Sequence, residues 1–273
     1  MEIKFRTVSP VILSGRSSFA LYKGIDYEKV DSQEINIVYP FFSYENRNNK
    51  SDKIFEKAKS YYIPASSLKG SILVNKNDNK NKSKEENLFR QNTIFRDVLI
   101  KKEHIILNKL WKFQYLYQEL KENNKENKKP KYEEFFPAVG VEMLNTGVDL
   151  VGNILIKDIE KNLKEKFEKR LNETCCLTDN KLIKYLSEID DRIQKIKDLK
   201  IVEEDRKNTI KELEDIKNAI SKLRKSGKKY IFLGGYKGLI GSLIKIEGKN
   251  IRNGFYIDKE TMLPYGLVEV IKY

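Results

Sequence analysis

No proline lies between Pro137 and Pro264, and within that span the apolar residues change period. Over GVDLVGNILI (147–156), Val148, Leu150, Ile154 and Ile156 share one parity, with Gly152 completing it. That is the alternation of a strand with one buried face. The spacing then becomes helical. Ile159, Leu163 and Phe167 fall four apart, and Leu182, Leu186, Ile189, Ile193 and Ile196 follow a 4-3-4-3 heptad rhythm. The stripe lapses around Lys200–Lys207 and resumes at Ile210, Leu213, Ile216, Ile220 and Leu223. The pattern predicts helices over 157–172, 180–199 and 204–225, the last two folding back as a hairpin. One uninterrupted long helix is the alternative.

β character flanks this helical tract on both sides. Residues 2–8 alternate through Ile3 and Phe5, EINIVYPFF (34–42) is β-rich, and YYIP is a short strand. SSLKGSILV then reads as a helix start with Ser66 or Ser67 as N-cap. FLGGYKGLIGSLIKI (232–246) returns to glycine and β residues, and PYGLVEVIKY closes on a strand. The expected architecture is an α+β body formed by 1–156 and 229–273, enclosing a helical, coiled-coil-like insertion over 157–228. NKNDNKNKSKEEN (75–87) and KENNKENKKPK (121–131) are almost wholly polar and are expected to be loops.

Composition narrows the partner class. The formal charge is +13, from 53 Lys and Arg against 40 Asp and Glu. This balance favours a polyanion, although richness in Lys, Asn and Ile is also the signature of an A·T-rich coding sequence. No apolar run is long enough to predict a membrane span, and MEIKFRTVSPVIL reads as a strand rather than a signal peptide. Cys175 and Cys176 are adjacent, which excludes an ordinary bridge between them. With His104 the only histidine, a zinc site is not expected. A reducing cytoplasm fits best.

Three segments share an unusual composition. SGRSS (14–18) ends the first strand, ASSLKG (65–70) joins a strand to a helix, and LGGYKGLIGS (233–242) is a glycine-rich loop before a strand. Each combines small residues with one cation: Arg16, Lys69 and Lys237. Glycine lets a backbone approach phosphate closely, free N–H groups and serine hydroxyls donate, and the cation supplies charge. Such a set grips a nucleic-acid backbone without reading bases. Taken singly, each segment also reads as an ordinary turn or helix cap. LGGYKG lacks the spacing of a nucleotide-triphosphate loop, and no cofactor is expected.

The order of the three is more specific. The chain resembles the repeat-associated mysterious protein (RAMP) superfamily of CRISPR effector subunits. SPVILSGR is similar to the "sPlhIGsG" end of that family's first strand. IPASSLKGSIL is similar to its "IPGSSLKGalR" motif, with Ala65 in place of a glycine and Leu73 in place of the arginine. Phe95, Arg96 and Asp97 match "FrD", and LGGYKGLIGSL matches the glycine-rich loop. Within the superfamily the chain looks most like the subunit type that caps the 3′ end of the guide RNA in type III-A (Csm) complexes. NTGVDLVGNILI, the following helices, LGGYKGLIGS and LPYGLVEV carry that likeness, with YKGL for the usual "GtGf" and Leu267 for a final tryptophan.

The resemblance implies a ferredoxin-like (RRM-like) core with an antiparallel sheet, binding of guide RNA (crRNA) along its backbone, and assembly beside the backbone subunits of the Csm complex. It also implies recruitment of host nucleases for guide maturation in antiviral defence. The RNA-binding residues are then expected to be Gly15, Arg16, Ser66, Ser67, Lys69, Arg96, Gly234, Gly235, Lys237 and Gly238, and no catalytic residue is expected. An endoribonuclease using Asp26 or His104 is the enzymatic alternative, and an adaptor working through the 157–228 helices is the other. Trp111, Phe113, Tyr115 and Tyr117 would lie on one side of a strand, as core or as a stacking surface for bases.

Overall fold

The computed structural model of the chain describes residues 1–13, 19–30, 34–45, 54–73, 84–114, 131–157, 162–198, 202–242 and 254–273. The strands among them run β1 (Glu2–Thr7), β2 (Leu21–Tyr22), β3 (Ile37–Tyr39), β4 (Ser60–Ile63), β5 (Thr93–Phe95), β6 (Val98–Lys101), β7 (Ile105–Lys109), β8 (Trp111–Gln114), β9 (Lys131–Glu134), β10 (Val139–Leu144), β11 (Asp149–Ile156), β12 (Tyr230–Phe232), β13 (Phe255–Tyr256) and β14 (Leu267–Lys272). The helices are α1 (Ala65–Ile72), α2 (Lys84–Asn92), α3 (Leu163–Lys197), α4 (Glu203–Lys225) and α5 (Gly238–Ser242).

The principal sheet has the order β12-β14-β1-β11-β5, and every neighbouring pair is antiparallel. Leaving aside the edge strand β12, the chain visits it as β1, helices α1 and α2, β5, β11, helix α3 and β14. That is a βαββαβ connection with the fourth, first, third and second strands side by side, the ferredoxin-like (RRM-like) α+β fold. The strict alternation of β1 and β11 explains the layer. Ile3, Phe5, Leu150 and Ile154 point to one face and are buried there with Leu68 and Ile72 of α1 and with Leu163, Phe167 and Leu171 of α3. The opposite positions, Lys4, Arg6, Val151 and Leu155, are exposed. Two excursions, one between β1 and α1 and one between β5 and β11, together with β13 after α5, build a second sheet, β2-β3-β10-β7, and the smaller sheets β4-β6 and β13-β8-β9. In the second sheet β3 and β10 are parallel.

The first two expected helices form one. Helix α3 runs for 35 residues, about 52 Å at 1.5 Å per residue, and it crosses the region where the apolar stripe is interrupted. The interruption consists of Thr174 and Thr178, which are buried and bond within the helix. Thr178 Oγ1 donates to the Thr174 carbonyl at 3.1 Å, and Thr174 Oγ1 reaches the Arg170 carbonyl at 3.0 Å and the Ile72 carbonyl of α1 at 2.7 Å. Hydroxyls that satisfy themselves on the preceding turn let a helix continue where the sequence loses its stripe. The first half of α3 therefore packs into the body. The second half pairs with α4 through Leu182, Ile189, Ile193, Ile196, Leu213, Ile216 and Ile220, in a cluster that also takes in Tyr230, Phe232 and Phe255. The hairpin is antiparallel, as the pairs Arg224–Asp179 and Lys217–Asp190, both 2.6 Å, require.

Three further expectations are corrected. Helix α2 begins inside the polar 75–87 tract. Glu86 is buried there in an ion pair with Arg170 of α3 at 2.7 Å, and Phe89 is fully buried. The N-cap of α1 is Pro64, and neither Ser66 nor Ser67 caps it. The glycine-rich loop leads into the short helix α5 rather than directly into a strand. Both cysteines are free thiols; Cys175 is buried, and burial pushes it up to about 11. Among the described residues no helix is long and apolar enough to cross a membrane.

Candidate nucleic-acid interface

Two of the small-residue segments converge with the chain that leads into the third. Residues 14–18, and with them Gly15 and Arg16, lie outside the described residues, but the chain leading to them is fixed on both sides. The N–H of Gly235, in the glycine-rich loop, donates to the Ile12 carbonyl at 2.8 Å. The Leu13 carbonyl accepts from the Phe42 N–H at 3.2 Å, and the Phe42 carbonyl accepts from the Tyr62 N–H at 3.0 Å. Tyr62 belongs to β4, which runs through Pro64 into α1. A backbone ladder thus connects the glycine-rich loop, the chain entering SGRSS and the IPASSLKG junction.

Gly234 shows why this loop needs glycine. Its φ is +88°, and a Cβ there would lie 2.4 Å from the Ile12 carbonyl oxygen. The left-handed backbone and the close approach each exclude a side chain. Gly234 and Gly235 thus serve, first, to seat the loop on the strand-end segment. Gly238, at φ +66°, opens α5. Between them Tyr236 takes φ +51°, which is uncommon for a residue other than glycine.

The cations differ in how they are committed. Lys69 is half-buried. Its Nζ donates to the carbonyls of Arg90 and Thr93, the latter at 3.0 Å, at the end of α2. Burial, with the nearby Arg90 charge, lowers its pKa. Ser66 and Arg96 are exposed and Ser67 is half-buried. Lys237 has its main-chain carbonyl held by the Tyr185 hydroxyl of α3 at 2.6 Å, and burial pushes its ammonium down. Beside it, Lys181 Nζ donates to the Gly241 carbonyl at 2.8 Å and is pushed down to about 8, by burial first and then by the Lys237 charge. Two partly desolvated ammonium groups that repel each other next to a glycine loop are a setting that an anion relieves.

The N-terminus of α1 already holds a carboxylate. Asp97 Oδ1 accepts from the Ala65 N–H at 2.7 Å, and Oδ2 accepts from the Tyr44 hydroxyl at 2.8 Å. Asp97 therefore does the work expected of Ser66 or Ser67. Tyr44 in turn stacks on Tyr62, with ring centroids 4.0 Å apart and planes 12° apart. The Tyr44–Tyr62 pair is invisible to local pattern, since its members are brought together by the bridge between Ser43 and Tyr61 and the Tyr62 N–H on the Phe42 carbonyl. The aromatic run YPFFSY (39–44) was the available signal. Lys181 and Tyr185 give no local signal beyond lying in the predicted 180–199 helix.

The remaining candidates sit elsewhere. Asp26 Oδ2 accepts from the Tyr22 N–H at 2.8 Å and closes an exposed turn after β2. His104 ends a short 3-10 turn, Lys102–His104, where its carbonyl accepts from the Asn145 N–H. Phe113 is fully buried against Phe255, whereas Trp111 is half-buried, with Tyr132 at 5.3 Å and Lys259 Nζ 4.0 Å from its centroid. Tyr115 and Tyr117 lie outside the described residues. No group of three or more His, Cys, Asp or Glu that would hold a metal occurs among the described residues.

The fold has a solved counterpart. It is similar over 99% of its length to a chain in the cryo-EM structure of a Csm–crRNA–target RNA ternary complex of a type III-A CRISPR-Cas system, covering 100% of that chain with a TM-score of 0.52. Identity is 13%, so the likeness is one of fold. No protein-family model and no curated protein matches the sequence. The likeness spans the length of the chain rather than one segment of it.

Proposed function

We propose that the chain is a non-catalytic, cytoplasmic RNA-binding subunit of a type III-A CRISPR (Csm) effector complex, holding the 3′ region of the guide RNA and aiding its maturation in antiviral defence. The observation that carries this reading is the backbone ladder joining the glycine-rich loop, the chain entering SGRSS and the IPASSLKG junction, on a chain whose fold is similar over its length to one from a Csm–crRNA–target RNA assembly. The cations left for phosphate contact are Arg96, which is exposed, and Lys237 with its neighbour Lys181 at the glycine-rich loop. Arg16, in the first segment, is a sequence-based candidate. Lys69 has the different task of holding the end of α2. Partners are guide RNA, the neighbouring Csm subunits and host nucleases.

The test is single-stranded RNA binding by the purified chain over a salt series, wild type beside an Arg96→Ala/Lys237→Ala variant. Each phosphate contact contributes about 0.7 to the slope of log K against log salt on a single strand. The variant's slope is expected to be shallower by about 1.4. An unchanged slope assigns these cations no phosphate, and no binding by the wild type removes the reading for the isolated subunit.

A further inference from the structure

Tyr44 is 58% exposed, yet it is not a loose surface ring. One face lies on Tyr62, which in turn packs against Phe42 with centroids 6.0 Å apart. Its hydroxyl is tied to Asp97, the same carboxylate that receives the first N–H of α1. The flanking backbone is fixed by the Ser43–Tyr61 bridge and by the Tyr62 N–H on the Phe42 carbonyl. The rings therefore form a row, Phe42, Tyr62, Tyr44, that runs outward from the core and ends on a ring open to solvent. Exposed Arg96 and Ser66 stand beside the two residues that anchor it, Asp97 and Ala65.

We propose that Tyr44 is a base-stacking platform, taking one unpaired nucleobase of a single-stranded RNA on its open face as the next member of the row. A nearly parallel, closely spaced pair is already in the geometry that a stacked base continues. Fixing the ring through its hydroxyl removes in advance the side-chain entropy that binding would otherwise cost. Stacking tolerates any base, so it suits a protein that holds a strand without reading it. The inference rests on the RNA-binding reading above and adds a contact to bases where that reading invokes only phosphates.

Full-length wild type, Tyr44→Ala and Tyr44→Phe are compared for binding of a guide-length single-stranded RNA and of an abasic strand of the same length. Thermal unfolding serves to confirm that each variant is folded. Tyr44→Ala is expected to weaken RNA binding about tenfold. Tyr44→Phe, which keeps the ring, stays within about threefold of wild type, and the alanine defect disappears on the abasic strand. The proposal is overturned if Tyr44→Ala binds RNA as wild type does, which leaves the row for a protein neighbour. It is also overturned if Tyr44→Phe loses as much as Tyr44→Ala, or if the loss persists on the abasic strand. Salt-dependent binding by wild type with no effect at Tyr44 defeats this inference alone; no binding by wild type defeats the RNA-binding reading with it.

Discussion

Asp97 and Ala65 are 32 residues apart in sequence, and the Asp97 carboxylate receives the first N–H of α1 at 2.7 Å. A helix that begins after proline with no capping side chain of its own obtains its cap from the loop between β5 and β6. Replacing Asp97 with alanine is expected to lower stability by about 1 kcal/mol, the usual cost of losing an N-cap acceptor. Asparagine, which keeps one acceptor oxygen, should recover a good part of it. Urea midpoints of the three proteins check this.

Lys69 bridges two elements in the same neighbourhood. Its ammonium satisfies the Arg90 and Thr93 carbonyls at the end of α2. Lys69→Met keeps the stem but leaves those carbonyls without their donor, a loss of about 1–3 kcal/mol. If Lys69 were instead a phosphate contact, methionine would change the salt dependence of RNA binding and leave the unfolding midpoint nearly unmoved. Measuring both quantities on one variant separates the two roles.

These residues mark what a one-dimensional pattern carries. The parity of Val148 to Ile156 and the heptads around Leu182 and Leu213 are local, and the strand and the hairpin follow directly from them. Asp97 as cap, Glu86 paired with Arg170, and Tyr44 on Tyr62 are contacts across tens of residues. Each side chain looks locally like a solvated loop residue. Lys69 is the instructive case. A lysine in a small-residue motif looks like a phosphate ligand, and only the position of α2, hidden in a polar tract, shows where its charge goes. In α3 the threonines broke the visible stripe while the helix continued through hydroxyls bonded to its own carbonyls.

Lys181 gives a pH signature. Its ammonium titrates at about 8 in the folded chain, against an ordinary value of 10.5 when unfolded. Between those values the unfolded chain holds the extra proton, so stability rises as pH goes from about 8 to 10.5, and the folded state bears the full cost of the buried charge below pH 8. Lys181→Met should flatten that rise. Urea midpoints at pH 7, 9 and 10.5 for the two proteins report the difference in slope.

Gly234 tests the loop's architecture apart from any ligand. At φ +88°, with a Cβ 2.4 Å from the Ile12 carbonyl oxygen, alanine can be accommodated only by moving the loop off the segment that enters SGRSS. The expected cost is at least about 2 kcal/mol, combining left-handed strain with the lost Gly235–Ile12 bond. A matched Gly70→Ala control meets no atom within 4 Å and sits at a helical position. It should be neutral or slightly stabilising. Thermal unfolding of the pair is the measurement.

Tyr185 ties the helical hairpin to the glycine-rich loop. Its ring is fully buried against Phe255, and its hydroxyl donates to the Lys237 carbonyl at 2.6 Å. Burial raises its pKa well above the ordinary tyrosine range, so the hydroxyl remains a donor at any working pH. Tyr185→Phe preserves the packing and removes only that bond. It should cost about 1 kcal/mol globally, or somewhat more if the buried carbonyl finds no water. The larger effect should be local, with faster amide exchange at Gly235 to Gly238 and little change in β1 or β11. If RNA binding uses this loop, the same variant should bind more weakly with an unchanged salt slope, because it loosens the loop without removing a charge. Excising 157–228 is a far harsher change than its position outside the sheet implies. It removes Phe167 and Leu171 from the sheet's own core together with Tyr185, and the remainder is expected to lose its cooperative unfolding transition. A cooperative transition in that deletion would show that the sheet folds without α3.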